Sequence, residues 1–258
     1  MIIKAKNIFL KKIFTFFTPH KTAEKNSNPI IQEMMVDYQP TQQSKVDLRV
    51  LKELVRHGEN KFVEFKLKTN HPEKIVREMV AFANTAGGKL IVGIGDDKSI
   101  KGLKFPDEDE YILQKAIEKY IYPAIDYDVE RLVVEGEREV LIYNIQKSPF
   151  KPHYVDLDGI TENRRAYVRV ADRSVQASKE MREILKGERK ALNIRFHYGE
   201  KEQILMKYLA ENPTITVETY ANIANISRKV ASRTLVVLVL ANIIKVQPHE
   251  VQDFFMAA

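Results

Sequence analysis

No cysteine and no tryptophan occur among the 258 residues. The lack of thiols excludes a disulfide-stapled secreted scaffold, a Cys-ligated zinc domain and a cysteine nucleophile. Long apolar runs are missing as well. The richest cluster, Ile8, Phe9, Leu10, Ile13, Phe14, Phe16 and Phe17, is interrupted by Lys11-Lys12 and is too short to cross a bilayer. No small-residue cleavage site follows it, so it makes a poor signal peptide. There is no Gly-x-x-x-x-Gly-Lys-Ser/Thr phosphate loop, no Gly-x-Ser-x-Gly nucleophile setting and no paired histidine, His153 and His197 standing isolated. Gly93-Ile94-Gly95-Asp96 lacks the third glycine and the helix of a dinucleotide fingerprint. No internal repeat is present.

What is present is the composition of a folded chain, 44% hydrophobic and 29% charged, long enough for one large domain or two small ones. The 41 Lys and Arg exceed the 35 Asp and Glu, a net charge of +6 that makes an anionic partner worth following along the chain. Residues 1–44 differ from the rest in being lysine-rich around the apolar cluster. They are expected to be a basic, unstructured tail, or an extension upstream of a start at Met34-Met35. No membrane contact through residues 1–20 is expected, and the protein is expected to be cytoplasmic.

From about residue 45 helix and strand patterns alternate. Val46, Leu48, Leu51, Leu54 and Val55 recur at helical spacing before Gly58, and Val63, Phe65 and Leu67 alternate with Glu64, Lys66 and Lys68 as a strand. Pro72 opens a helix that Gly87-Gly88 stops, and Leu90 to Ile94 reads as a buried strand. A helix over Ile112 to Ile121, strands over 126–134 and 139–145, and weaker strands at 152–155 and 166–170 complete an α+β domain over residues 45–190. Residues 195–258 read as helices over 202–210 and 217–224, a third capped by Ser227 and running to about Leu240, then a hairpin, the order of a small winged helix-turn-helix.

Three carboxylates stand out: Glu59, Glu64 and Asp96. On a strand, Glu64 and Lys66 project from one face, and Asp96 follows the buried strand in a loop that can turn toward them. Converging carboxylates suit a hard divalent cation, and an ammonium beside them suits charge on a phosphoryl oxygen. The plainer alternative is a surface ion pair and a turn.

The stretch Ala81-Phe82-Ala83-Asn84-Thr85-Ala86-Gly87-Gly88-Lys89-Leu90-Ile91-Val92-Gly93-Ile94-Gly95-Asp96-Asp97, with Glu64-Phe65-Lys66 before it, resembles the Schlafen-type AlbA-like domain. Ile100-Lys101-Gly102-Leu103, Lys151-Pro152-His153 and Tyr167-Val168-Arg169-Val170 extend the resemblance over roughly residues 58–180. It implies a nucleic-acid-binding domain of the kind found in microbial proteins that look like transcriptional regulators. Animal relatives include metal-dependent endoribonucleases with two Glu and an Asp. The resemblance carries these onto Glu59, Glu64 and Asp96 as catalytic residues and as ligands for Mg²⁺ or Mn²⁺, with Lys66 as charge stabiliser. Those nucleases are duplicated and clamp-like, whereas this chain has one copy; a homodimer would supply a second half.

In the C-terminal module Arg228, Lys229, Ser232 and Arg233 occupy the first turns of the third helix, where a recognition helix meets base edges and phosphates. Residues 195–258 hold seven Lys and Arg against six Asp and Glu, so contact would depend on placement rather than net field. Lys151, Arg165 and Arg169 are the main candidates for a phosphate-facing surface in the first domain. Asn84 and Thr85 are expected to cap their helix, and Tyr154 and Tyr167 to pack rather than stack bases. The reading is a DNA-binding transcriptional regulator, DNA preferred over RNA, with no cofactor needed for binding. The alternatives are a Mg²⁺- or Mn²⁺-dependent endoribonuclease and a protein-interaction module.

Overall fold

Leu90-Ile91-Val92 is apolar without alternation, and a strand of that kind must be covered on both faces. The computed structural model describes residues 47–189 and 197–258; the basic segment 1–44 and the expected boundary between the two domains, within 190–195, lie outside the described residues. The chain runs through α1 (Leu48–His57), β1 (Val63–Lys66), α2 (Pro72–Asn84), β2 (Gly88–Val92), α3 (Pro106–Tyr120), β3 (Ile121–Tyr122), β4 (Tyr127–Val133) and β5 (Glu139–Ile145). It continues through β6 (Tyr154–Val155), β7 (Tyr167–Val170), β8 (Arg173–Gln176) and α4 (Lys179–Arg189). The last part comprises α5 (Glu200–Glu211), α6 (Val217–Ile223), α7 (Arg228–Leu240), β9 (Ile244–Gln247) and β10 (Phe254–Ala257).

The central sheet has the order β1-β2-β5-β4, with β1 parallel to β2 and the other pairs antiparallel. One face, carrying Leu90, Val92, Leu141, Tyr143 and Ile145, packs under α2 and α3. The opposite face, carrying Val63, Phe65, Ile91, Val140 and Ile142, is closed by Leu51 and Val55 of α1. The α+β class read from the pattern is what the structure has. Local signals start and stop the helices: Asp47 accepts from the Arg49 N–H at 2.9 Å, Gly58 ends α1 at φ +80°, and prolines open α2 and α3.

The stretch from Asn84 to Gly88 closes this domain. The Asn84 side chain, 1% exposed, donates to the carbonyls of His153 and Tyr167 at 2.9 Å each and accepts from the His153 N–H at 2.7 Å. It therefore stitches the end of α2 to β6 and β7 instead of capping its own helix. Thr85 does bond back, donating to the Ala81 carbonyl at 2.8 Å, and it accepts from the Arg169 N–H at 2.9 Å. Gly87 has φ +77° and lies so close to β5 that a Cβ would sit 2.8 Å from the Ile145 carbonyl oxygen.

Three elements are not marked by the sequence pattern: the short β3, where the helical pattern runs on to Ile121, and β8 and α4. β8 pairs antiparallel with β7, and α4 buries Met181, Ile184 and Leu185. α4 carries the contact to the C-terminal part: these side chains share a cluster with Ala166, Val168, Ala177 and Val236, against which Val239 and Leu240 pack. Ser178 donates to Asp253, and Ser232 donates to Glu180 at 2.6 Å. α5, α6 and α7 enclose Leu205, Leu209, Tyr220, Leu235 and Phe255, and β9 pairs antiparallel with β10.

Replacing Asn84 by Ala leaves three buried backbone groups without partners. Asn84→Ala should lower the unfolding free energy by about 3 kcal/mol, read as a lower urea midpoint at unchanged slope. A loss under about 0.5 kcal/mol, within the range of an ordinary surface substitution, would contradict this account of the motif.

Candidate nucleic-acid interface

The acidic residues separate into different roles. Glu59 is exposed, and its Oε1 accepts from the Phe65 N–H at 3.0 Å, fixing the turn into β1. Glu64 is 6% exposed and points to the face of β1 that α2 and β7 cover. Its Oε1 is held by Lys66 and its Oε2 accepts from Arg169 at 3.0 Å. Asp96 is exposed on the turn after β2.

The two-Glu, one-Asp donor set implied for Mg²⁺ or Mn²⁺ does not fit this arrangement. A hard cation needs carboxylate oxygens free to turn toward it, yet both Glu64 oxygens are engaged by cations. Among the described residues no group of three or more His, Asp or Glu side chains is positioned to hold a metal ion.

Arg169 explains why Glu64 is buried. Its side chain is 0% exposed and donates to Glu64, to Glu78 at 2.7 Å, to Ser174 at 3.2 Å and to the Asn60 carbonyl at 2.8 Å, with the guanidinium 4.7 Å from the Phe82 ring centre. It is therefore not on a phosphate-facing surface. Lys151 is likewise corrected: it is 5% exposed and paired with Glu188 at 2.9 Å. Arg165 is half-buried, and its guanidinium donates to the Glu162 and Arg164 carbonyls. His153 is buried between the Pro123 carbonyl, 2.8 Å away, and Ser148 Oγ, 2.6 Å away, and burial pushes its pKa below the ordinary histidine value.

In the C-terminal part, Ser227 accepts from the Val230 N–H at 3.3 Å and starts α7. Arg228, Lys229 and Arg233 are exposed on its first two turns. Arg228 has its side chain 77% exposed with Glu218 at 4.0 Å, while Lys229 and Arg233 carry no ion pair among the described residues. Ser232 departs from expectation: it is 8% exposed and tied to Glu180, so its hydroxyl faces α4.

Lys229 and Arg233 line one wall of a cleft of 1290 Å³. α4 contributes Lys179, Lys186 and Arg189, and Tyr122, Phe150 and Tyr154 of the first domain form the opposite side. Tyr122 is 54% and Phe150 57% exposed. The Arg164 guanidinium lies 4.1 Å from the Tyr122 ring centre and that of Arg189 6.0 Å from Phe150. None of Lys179, Lys186, Arg189, Tyr122 or Phe150 stood out in the sequence. The signal for the helix cations was the spacing of Met181, Ile184 and Leu185, which turns Lys179, Lys186 and Arg189 outward; single aromatics beside prolines carry no such signal.

The Glu64–Arg169–Glu78 cluster has a titration signature. Burial, reinforced by the charge of Glu64, raises the Glu78 pKa above the ordinary glutamate value of 4.5, against the bond from Ser174 and the charge of Arg169. A carboxyl raised in this way holds its proton more tightly folded than unfolded. Its contribution favours folding as pH falls through the raised value toward 4.5 and is lost as pH rises again. Urea unfolding of Glu78→Gln beside the native protein should show the stability difference drifting in favour of the native side chain on acidification. A difference that stays flat across that window would contradict the assignment.

Comparison with known proteins finds a family likeness for the first domain. Residues 59–178 match the model of the Schlafen, AlbA_2 family. Among curated proteins none matches the chain. A crystal structure of a Corynebacterium diphtheriae protein aligns at 23% identity with a TM-score of 0.33, over 49% of this chain and 24% of that one, so this chain spans about a quarter of its length. The N-terminal domain of a RecG-related protein from Nitrosomonas europaea aligns at 20% identity with a TM-score of 0.34, over 58% of this chain and 97% of that domain. The family match supports a nucleic-acid-binding role. The matched stretch, a little under half of the chain, runs from the turn before β1 to the residue before α4 and is similar to the Schlafen, AlbA_2 domain.

Proposed function

We propose that this protein binds DNA as a transcriptional regulator, with α5 to β10 serving as a winged helix-turn-helix and α7 as its recognition helix. The observation that carries the reading is the set Arg228, Lys229 and Arg233, exposed at the capped start of α7, with Lys229 and Arg233 unpaired among the described residues. Guanidinium and ammonium groups at the first turns of such a helix reach phosphates and base edges. Helix, turn, helix and a two-stranded hairpin follow one another in the order this mode of contact uses.

Endoribonuclease activity has less support, because both oxygens of Glu64 are held by cations and Asp96 stands apart on an exposed turn. The interaction-module alternative would leave three exposed cations without a task. A homodimer remains compatible with the regulator reading, since a duplex site read twice gains affinity from symmetry.

Duplex DNA binding measured across salt concentrations tests the reading. Arg228→Ala with Arg233→Ala should weaken binding at least tenfold and reduce the slope of log affinity against log salt by about two. Unchanged binding in the double variant, or Mn²⁺-dependent cleavage of structured RNA that disappears in Glu64→Gln, would overturn it.

A further inference from the structure

Six Lys or Arg side chains line the 1290 Å³ cleft against one carboxylate, Glu183. Two of the cations are spoken for, Lys186 by Glu183 at 2.8 Å and Lys151 by Glu188 at 2.9 Å. Lys179, Arg189, Lys229 and Arg233 carry no ion pair among the described residues. Four such cations lining one cleft give it a positive potential that favours an anion there.

The opposite wall narrows the class of anion. Tyr122 and Phe150 expose more than half of their area at the rim, each beside a guanidinium, where an isolated ring in a soluble domain would gain by burial. Aromatic faces with cations beside them suit flat, polarisable rings joined by a phosphate backbone, because every base has a π face and stacking tolerates any sequence. A duplex hides its base faces and offers only groove edges, so the exposed parts of these two rings gain nothing from it. An acidic peptide would satisfy the cations but leave the rings exposed.

We propose that the cleft between α7, α4 and the Tyr122–Phe150 wall holds an unpaired nucleic-acid strand, its bases stacked on these rings and its phosphates facing Lys179, Arg189, Lys229 and Arg233. The inference rests on the nucleic-acid reading given above and deepens it: the preferred ligand is a duplex with a single-stranded extension, or a single strand. α7 then has two tasks. Arg228, outside the cleft lining, meets the duplex alone, and Lys229 and Arg233, at the edge of the cleft, meet the duplex phosphates and the unpaired strand that leaves it toward the first domain.

The test compares a blunt duplex with the same duplex carrying an unpaired DNA or RNA tail, using the full chain. The tail should raise affinity about tenfold or more. Tyr122→Ala with Phe150→Ala should lose that gain, and Tyr122→Phe, which keeps the ring, should retain it. Because the sequence has no tryptophan, Tyr122→Trp supplies a single indole that can be excited apart from the tyrosines, quenched on adding the tailed probe and not the blunt one. Equal affinity for blunt and tailed probes, or a gain that survives loss of both rings, overturns the cleft proposal while leaving duplex binding standing. Competition by poly-glutamate as effective as the single strand also overturns it. Failure of every nucleic-acid probe to bind overturns both this proposal and the reading on which it rests.

Discussion

Arg169 carries a positive charge into a site with no exposed side-chain area, and an ion so placed is tolerated only with close opposite charge; both terminal nitrogens are bonded, and Nε is left without a partner. Glu64 reaches it from β1, Glu78 from α2, the Asn60 carbonyl from the turn before β1 and Ser174 from β8. Four separate stretches of chain thus converge on one guanidinium. The backbone N–H of the same residue bonds Thr85 at the end of α2. The β7–β8 hairpin is thereby fastened over α2 and the edge of the sheet, and the Asn84 bonds to β6 and β7 complete the closure.

This arrangement divides the charged residues by task. Glu64, which looks from its spacing like a ligand, is a counter-ion of the scaffold, and Arg169 is part of the interior. The cations left for a partner lie elsewhere, on α4 and the start of α7. α4 joins the two parts: its apolar face completes a cluster with Val236, and Ser178 and Glu180 bond Asp253 and Ser232. Burial raises the Asp253 pKa, so this contact, like the Arg169 cluster, places a carboxyl out of water beside a hydroxyl donor. Docking α7 in this way turns its unpaired cations toward the first domain and makes one positively charged cleft from two separate modules.

Much of the fold was legible. Periodicity located α1, α2 and the four strands of the central sheet, since a 3.6-residue apolar repeat and an unbroken apolar strand are local signals. The stretch Ala81 to Asp97 identified the domain, and its asparagine and glycines prove to act through contacts with residues far along the chain. What local pattern could not reveal was the burial of Glu64. Strand alternation put it on a charged face, but the cation that neutralises it is 105 residues away. Arg169 and Lys151 looked like surface cations for the same reason: a basic side chain bears no local mark of the carboxylate that will meet it. Ser232 follows two cations on a helix and so resembles a ligand contact, yet its partner, Glu180, belongs to α4, far away in the sequence.

The claim at the centre of this account is that Glu64 serves the scaffold through Arg169. A double-mutant cycle in urea unfolding measures it directly, with Glu64→Gln, Arg169→Met and the combined variant. The account predicts a coupling of about 2 kcal/mol or more, each single change removing one counter-ion from its buried partner, with Glu78 left to Arg169 or Lys66 left to Glu64, and the double change costing less than the sum. Additivity within about 0.5 kcal/mol would contradict it and would release Glu64 for a role in chemistry.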